Sequence, residues 1–218
     1  MITLLPGESR ARFPRFTDEM YELRLGASRA RLDRPLGAIN RLAVVDYFDS
    51  LDPLYVLALD DAGRIIGAIR LLPTTGATML NDAFAATLPE RGRIESPLIW
   101  EASRLTVDAT GNSQAQERTI DRAVGELGCA LNEIAQGAGL THLIGVFDGG
   151  AYNLLSSRGC AGEALAPPLS LAGGQIFVAF YEVGPAMDAQ FIRLAGENAR
   201  RPINLADVDS TRSAAGKR

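Results

Sequence analysis

The run Ile99-Trp100-Glu101-Ala102-Ser103-Arg104-Leu105-Thr106-Val107 puts a carboxylate, a hydroxyl and a guanidinium inside an otherwise apolar segment with the character of a buried strand. Such groups are costly in a core unless they are paired. On a strand period of two, Glu101, Ser103, Leu105 and Val107 share one face and Trp100, Ala102, Arg104 and Thr106 the other. This predicts polar chemistry on both sides of the sheet. Earlier in the chain, Arg70 ends a second apolar run, Ile65-Ile66-Gly67-Ala68-Ile69, and leads into Leu71-Leu72-Pro73-Thr74-Thr75-Gly76. Two interior charges of opposite sign imply one buried electrostatic network.

The remaining pattern predicts the layout around these two strands. A short strand is expected over 2–5. A helix is expected over 13–34, with Pro14 in its first turn and Phe16, Met20, Leu23 and Ala27 on one side. Segment 42–46 enters the core as strand or loop. Strands over 55–59 and 64–72 flank Asp60-Asp61-Ala62-Gly63, which carries the turn residues of a hairpin. A short helix is expected over 79–88. A long one over 114–137 has Ile120, Val124, Leu127, Leu131 and Ile134 at helical spacing, with Gly137 and Gly139 able to end it. Strand 143–147, helix 151–157, strand 175–182 and helix 185–197 follow. The expectation is an α/β chain built as one domain over 1–200, a three-layer sandwich with a mixed central sheet. Segment 201–218 turns polar and small and is expected to be a flexible tail.

Composition narrows the function classes. The 218 residues, 47% hydrophobic, are ample for one core. The net charge of −4 argues against a general nucleic-acid binder. Two cysteines, Cys129 and Cys160, and one histidine, His142, lie in no metal-ligand spacing, so no metal site is expected. The N-terminal residues carry no signal-peptide pattern and no apolar run of membrane-spanning length. A cytoplasmic protein without membrane partners is the expectation.

Several motifs carry a specific likeness. Arg24, the acids of Asp46-Tyr47-Phe48-Asp49, Tyr55-Val56-Leu57, Arg70-Leu71-Leu72-Pro73-Thr74-Thr75-Gly76, Met79-Leu80, Phe84 and Trp100-Glu101-Ala102-Ser103-Arg104 occur in order. The chain thereby resembles the acyl-homoserine lactone synthases, also called autoinducer synthases, through most of its first half. The resemblance implies an acetyltransferase-like fold whose central strands splay to admit an acyl thioester. It also implies acyl transfer from acyl carrier protein or acyl-coenzyme A to the amine of S-adenosylmethionine. Lactone closure and release of methylthioadenosine would follow, as in quorum-sensing signal production, with no cofactor beyond these substrates. Ordinary acetyltransferases of this fold grip the coenzyme A pyrophosphate on a glycine-rich turn at a helix N-terminus. Here Asp108-Ala109-Thr110-Gly111-Asn112-Ser113 stands in that place, which favours the synthase branch.

The resemblance also suggests roles. Glu101 is the candidate general base, since the attacking amine must lose a proton, and Glu101→Gln is expected to abolish transfer with little effect on folding. Ser103, Arg104 and Thr106 lie where backbone N–H groups would stabilise the tetrahedral oxyanion. Arg24, Asp46, Asp49, Arg70 and Arg104 match the family's charged cluster, expected to hold the amino-acid end of S-adenosylmethionine. Phe84 matches a family aromatic. Leu143, Val146 and Phe147 are candidate acyl-tunnel residues, and Arg118, Arg122 and Arg158 a candidate basic face for an acidic carrier protein. The chain departs from the family at Ser28, Arg34 and Val44, which replace a usual phenylalanine, tryptophan and acid. Ser28 and Arg34 belong to the adenosine side of the expected pocket. Their change leaves two other readings open: an N-acyltransferase using another amine, or a catalytically silent acyl-binding homologue.

Overall fold

A computed structural model describes residues 1–31, 45–88, 92–111, 113–171, 174–196 and 203–204, with no account of the side chains of 28–31 and 203–204. Strand β1 (Ile2–Pro6) leads through a 3-10 turn to helix α1 (Pro14–Arg31), whose Pro14 occupies a first-turn position where a missing N–H costs nothing. A 3-10 turn at Tyr47–Ser50 precedes the antiparallel hairpin of β2 (Leu54–Leu59) and β3 (Ile65–Pro73). The hairpin turn forms as its sequence implies, because the Asp60 carboxylate accepts the N–H groups of Ala62 and Arg64, each at 2.9 Å.

Strand β4 (Ile99–Val107), helix α2 (Gln114–Gly137) and strand β5 (His142–Asp148) form a parallel crossover, followed by α3 (Gly149–Ser156). Strands β6 (Glu163–Ala164), β7 (Leu169–Leu171) and β8 (Gly174–Glu182), helix α4 (Pro185–Ala195) and strand β9 (Ile203–Asn204) complete the order. The sheet runs β6-β8-β5-β4-β3-β2-β1-β9, with β7 also paired to β8. Pairs β4–β5 and β1–β9 are parallel and the others antiparallel, so the central sheet is mixed.

Alternation along the strands sorts the core into layers. On one face, Leu5, Tyr55, Leu57 and Ala68 pack with Phe13 and Met20 around α1. On the other, Val56, Ala58, Ile69, Leu71 and Leu143 pack against Val124, Leu127 and Leu131 of α2 and Met187 and Phe191 of α4. Helix α2 starts at Ser113, whose hydroxyl accepts the Gln116 N–H, and ends where Gly139 turns left-handed. A third cluster, Leu80, Leu88, Ile144, Val146 and Val178, closes the Glu101 side beyond α1.

Three expectations are revised. The helix expected over 79–88 is a π-helical turn, Met79–Ala83, followed by a 3-10 turn, Ala85–Thr87. There the Phe84 N–H reaches back five residues to the Met79 carbonyl, while the Met79 and Leu80 N–H groups are drawn to Glu101. Short β6 and β7 and the distant β9 have too few residues to show a period of two and were not anticipated. Within the expected tail, Ile203 and Asn204 pair with Thr3 and Leu4; the rest of it lies outside the described residues.

Helices α2 and α4 touch through glycine. A Cβ at Gly125 would fall on the backbone of Ala195, and one at Gly128 on the ring of Phe191, whereas one at Gly26 in α1 would meet nothing. Helix propensity favours alanine over glycine by about 1 kcal/mol at either kind of site. Overpacking against a backbone costs about 1–3 kcal/mol and outweighs it. Gly125→Ala should therefore lower the thermal midpoint and Gly26→Ala should hold or raise it, as read by circular dichroism melts. Equal effects of the two would contradict this packing.

Candidate active site

Arg70, the largest side chain with no solvent exposure, crosses from β3 under the 3-10 turn. Its Nη1 donates to Asp46 Oδ1 at 2.6 Å and Asp49 Oδ1 at 2.9 Å, and its Nε donates to Ser103 Oγ at 3.3 Å. Asp49, equally buried, also accepts Arg24 Nη1 on both oxygens and the Tyr55 hydroxyl at 2.9 Å. Asp46 takes Nε and Nη2 of Arg104 at 2.9 and 2.6 Å. The two acids also cap one another's backbone N–H groups, which holds the turn in register. Burial works to raise the Asp49 pKa, but Arg24 and Arg70 outweigh it and hold the carboxyl down at about 2. Burial acts on Asp46 in the same way, and Arg70 and Arg104 hold it below the usual carboxylate range.

The polar groups of β4 share one face. Arg104 sits at φ 60, in the left-handed region rare for a side-chain-bearing residue, and two residues, Arg104 and Leu105, oppose the single Ile69 between the pairs Ala68↔Thr106 and Arg70↔Ser103. This bulge shifts the alternation by one. Ala102, Leu105 and Val107 enter the α2 core, while Glu101, Ser103 and Thr106 take the opposite face with Arg70. The expected division of polar groups between both faces is thereby corrected. Strands β4 and β5 pair only as far as Ser103↔Val146, although both continue. Beyond that pair they part, beside an open cleft of about 490 Å³ between α1, residues 107–110 and α3.

Glu101 has no solvent exposure. Its Oε2 accepts the Leu80 N–H at 2.7 Å and its Oε1 the Met79 N–H at 3.3 Å, with Ser103 two residues along the same face. A carboxylate offers about four lone-pair directions, so room remains for a proton. Burial raises its pKa despite these donors. Glu101 makes no direct pair with Arg70; Ser103 accepts the Arg70 Nε and sits two residues from Glu101 on the same face.

Of the residues singled out from sequence, Arg24, Asp46, Asp49, Arg70, Glu101, Ser103, Arg104 and Thr106 meet on this face. Phe84 packs nearby, against the cluster around Leu80. Leu143, Val146 and Phe147 do not stand together: Leu143 and Phe147 face α2, and Val146 faces Leu80. Strand alternation forbids the three from sharing a side. The side chain of Ser28, and Arg34 and Val44 entirely, lie outside the described residues. Sequence reasoning missed the Tyr55 hydroxyl and the backbone cradle at Met79 and Leu80; a tyrosine among the aliphatic residues of β2 was the available signal for the first. Among the described residues, no group of three or more His, Cys, Asp or Glu is placed to hold a metal.

Because the Asp49 pKa is depressed on folding, its contribution is present above the unfolded value near 3.8 and is lost as pH falls through about 2. The shift corresponds to about 2 kcal/mol. Arg70→Ala takes one guanidinium from buried Asp49 and half-buried Asp46, leaving each with a single arginine partner; it should cost up to about 3–5 kcal/mol, and it should move the acid unfolding midpoint upward. Denaturant titrations from pH 5 to pH 2 check both, and an unchanged acid limb in the variant would contradict the pairing.

A family model described as autoinducer synthase matches residues 9–191. An acyl-homoserine-lactone synthase of Rhizobium etli is 30% identical over 131 residues, spanning 60% of this chain and 60% of that protein's length. Among solved structures, a CoA-dependent acyl-homoserine lactone synthase, MesI, superposes with a TM-score of 0.70 at 25% identity, covering 93% of this chain and 98% of that one. The fold alone is shared with an aminoglycoside 6'-acetyltransferase type Ii, at a TM-score of 0.52 and 14% identity over 85% of this chain and 98% of that one. The sheet is thus acetyltransferase-like, the curated relatives are acyltransferases, and this chain belongs to the autoinducer synthase family.

Proposed function

We propose that this protein is an acyl-homoserine lactone synthase that takes its acyl group from a coenzyme A thioester and transfers it to the amine of S-adenosylmethionine. The observation that carries this reading is the grouping of Asp49, Arg70, Ser103 and Glu101 on one face, next to the place past Ser103 where β4 and β5 part. Among the described residues the buried Arg70 Nη2 has no hydrogen-bond partner. An open guanidinium N–H of this kind suits the carboxylate of an amino-acid substrate.

In this reading Glu101 takes the proton from the substrate ammonium, its raised pKa bringing it nearer the range of an efficient base. The amine nitrogen then attacks the thioester carbonyl, and coenzyme A leaves as the thiol. Backbone N–H groups of the bulged segment at Ser103–Thr106 are suited to the oxyanion. The amino-acid carboxylate next displaces methylthioadenosine from the sulfonium-bearing carbon, closing the lactone, a step governed by positioning.

Two observations favour coenzyme A over an acidic carrier protein. Arg158 is held by Glu117 and Asp121, and Arg122 by Asp61 and Glu126, so the expected basic face is reduced to exposed Arg118. MesI is a CoA-dependent enzyme. Mass spectrometry of reactions with S-adenosylmethionine and either donor should detect acyl-homoserine lactone and methylthioadenosine with acyl-coenzyme A. Acylated product without methylthioadenosine would indicate a different amine. Glu101→Gln should lower turnover by about a hundredfold or more. The substitution also costs about 1–3 kcal/mol, because the new amide donor confronts a backbone N–H of Met79 or Leu80; the structure here revises the expectation of an unaffected fold. Wild-type turnover in a folded Glu101→Gln protein would remove Glu101 from the role of base.

A further inference from the structure

The two faces of the sheet differ near the point where β4 and β5 part. Glu101 lies on the α1 face. On the opposite face, an apolar cavity of about 20 Å³ is lined by Ala102 and Leu105 of β4, Leu143 and Phe147 of β5, Leu127 of α2 and Met187 of α4. A group passing between β4 and β5 from the Glu101 side meets this space first. Its size admits on the order of one water molecule or methyl group.

Three of its lining residues carry rings in mutual contact. Phe147 and Tyr181 meet edge to face at 6.5 Å between centroids, and Tyr181 and Phe191 lie 6.2 Å apart. Each ring is held from behind. Phe147 lies over Gly145 and Phe191 over Gly128, both in the space a Cβ would fill, and the Tyr181 hydroxyl donates to the Cys160 carbonyl at 2.9 Å. Turning any of the rings aside would break packing between the sheet and the α2–α4 pair. Met187, unbranched and with three rotatable bonds, is the lining residue best able to yield.

Resting on the acyl-transfer reading above, we propose that the Phe147, Tyr181 and Phe191 wall restricts the transferred acyl group to short chains, with Met187 setting how far the pocket gives. Each buried methylene gains about fourfold in binding. Forcing it into a closed, well-packed wall loses about fivefold to a hundredfold, so chain extension beyond the yielding of Met187 is a net loss.

The test compares kcat/KM for butanoyl-, hexanoyl-, octanoyl- and dodecanoyl-coenzyme A, with the same chains on acyl carrier protein as a parallel series. The wild type is expected to favour butanoyl over dodecanoyl by at least about tenfold, following the overpacking penalty. Phe147→Ala should raise the dodecanoyl-to-butanoyl ratio by a similar factor. That ratio is insensitive to a general loss of folded enzyme. If Phe147→Ala does not fold, Met187→Ala, which removes no ring, carries the same comparison. A wild type that uses dodecanoyl as well as butanoyl overturns the proposal. So does a ratio unchanged in the folded variant. No homoserine lactone from any donor in either series would instead overturn the reading of the reaction, and the proposal with it.

Discussion

Arg70 is buried without solvent contact, and its charge is tolerable only because Asp46 and Asp49 reach it from the turn before β2. Desolvating a guanidinium is expensive and is offset only by close, well-oriented acids. Those acids carry further partners of their own. Asp49 binds Arg24 of α1 and Tyr55 of β2, and Asp46 binds Arg104 of β4. One arginine thus ties together a helix, a turn and three adjacent strands. The same pairs lower both carboxyl pKa values, that of Asp49 to about 2, which keeps the cluster charged at neutral pH.

The bulge at Arg104 turns this electrostatic frame into a site. A left-handed backbone at an arginine carries strain of about 1–3 kcal/mol, and the two bonds from Arg104 to Asp46 hold it there. The shift in alternation gives the α2 core its apolar residues and leaves Glu101, Ser103 and Thr106 together beside Arg70. The bulge lies where β4 leaves β5, so the same irregularity that orders the polar groups adjoins the opening between the strands. A regular β4 would have put Leu105 among the charges and Thr106 in the core.

Helices with a clear apolar stripe, such as α2, and strands with a marked turn between them, such as β2 and β3, were legible because their signals are local. The two-residue strands β6 and β9 were not, since they exist only where a neighbouring edge accepts them. The π-helical turn at Met79–Ala83 was hidden for a related reason: its leading N–H groups are claimed by a carboxylate twenty-odd residues away in sequence, on β4. In the site, the motif residues were readable as types and in order. Their grouping was not, and Val146 illustrates this: apolar and adjacent to Phe147, it faces the other way.

Sequence alone determined that buried charge had to be paired and that the chain carried the autoinducer synthase signature, and the resemblance set Arg70 in one cluster with Asp46 and Asp49. These conclusions rest on residue identity and the cost of an unpaired charge in a core, which hold in any fold. Tertiary structure decided which oxygen meets which nitrogen, that Ser103 rather than Glu101 takes the Arg70 Nε, and that three rings line the space behind β4 and β5. Such choices depend on strand register, the single extra residue of a bulge and the close approach of helices at glycine, each set by packing between segments distant in the chain.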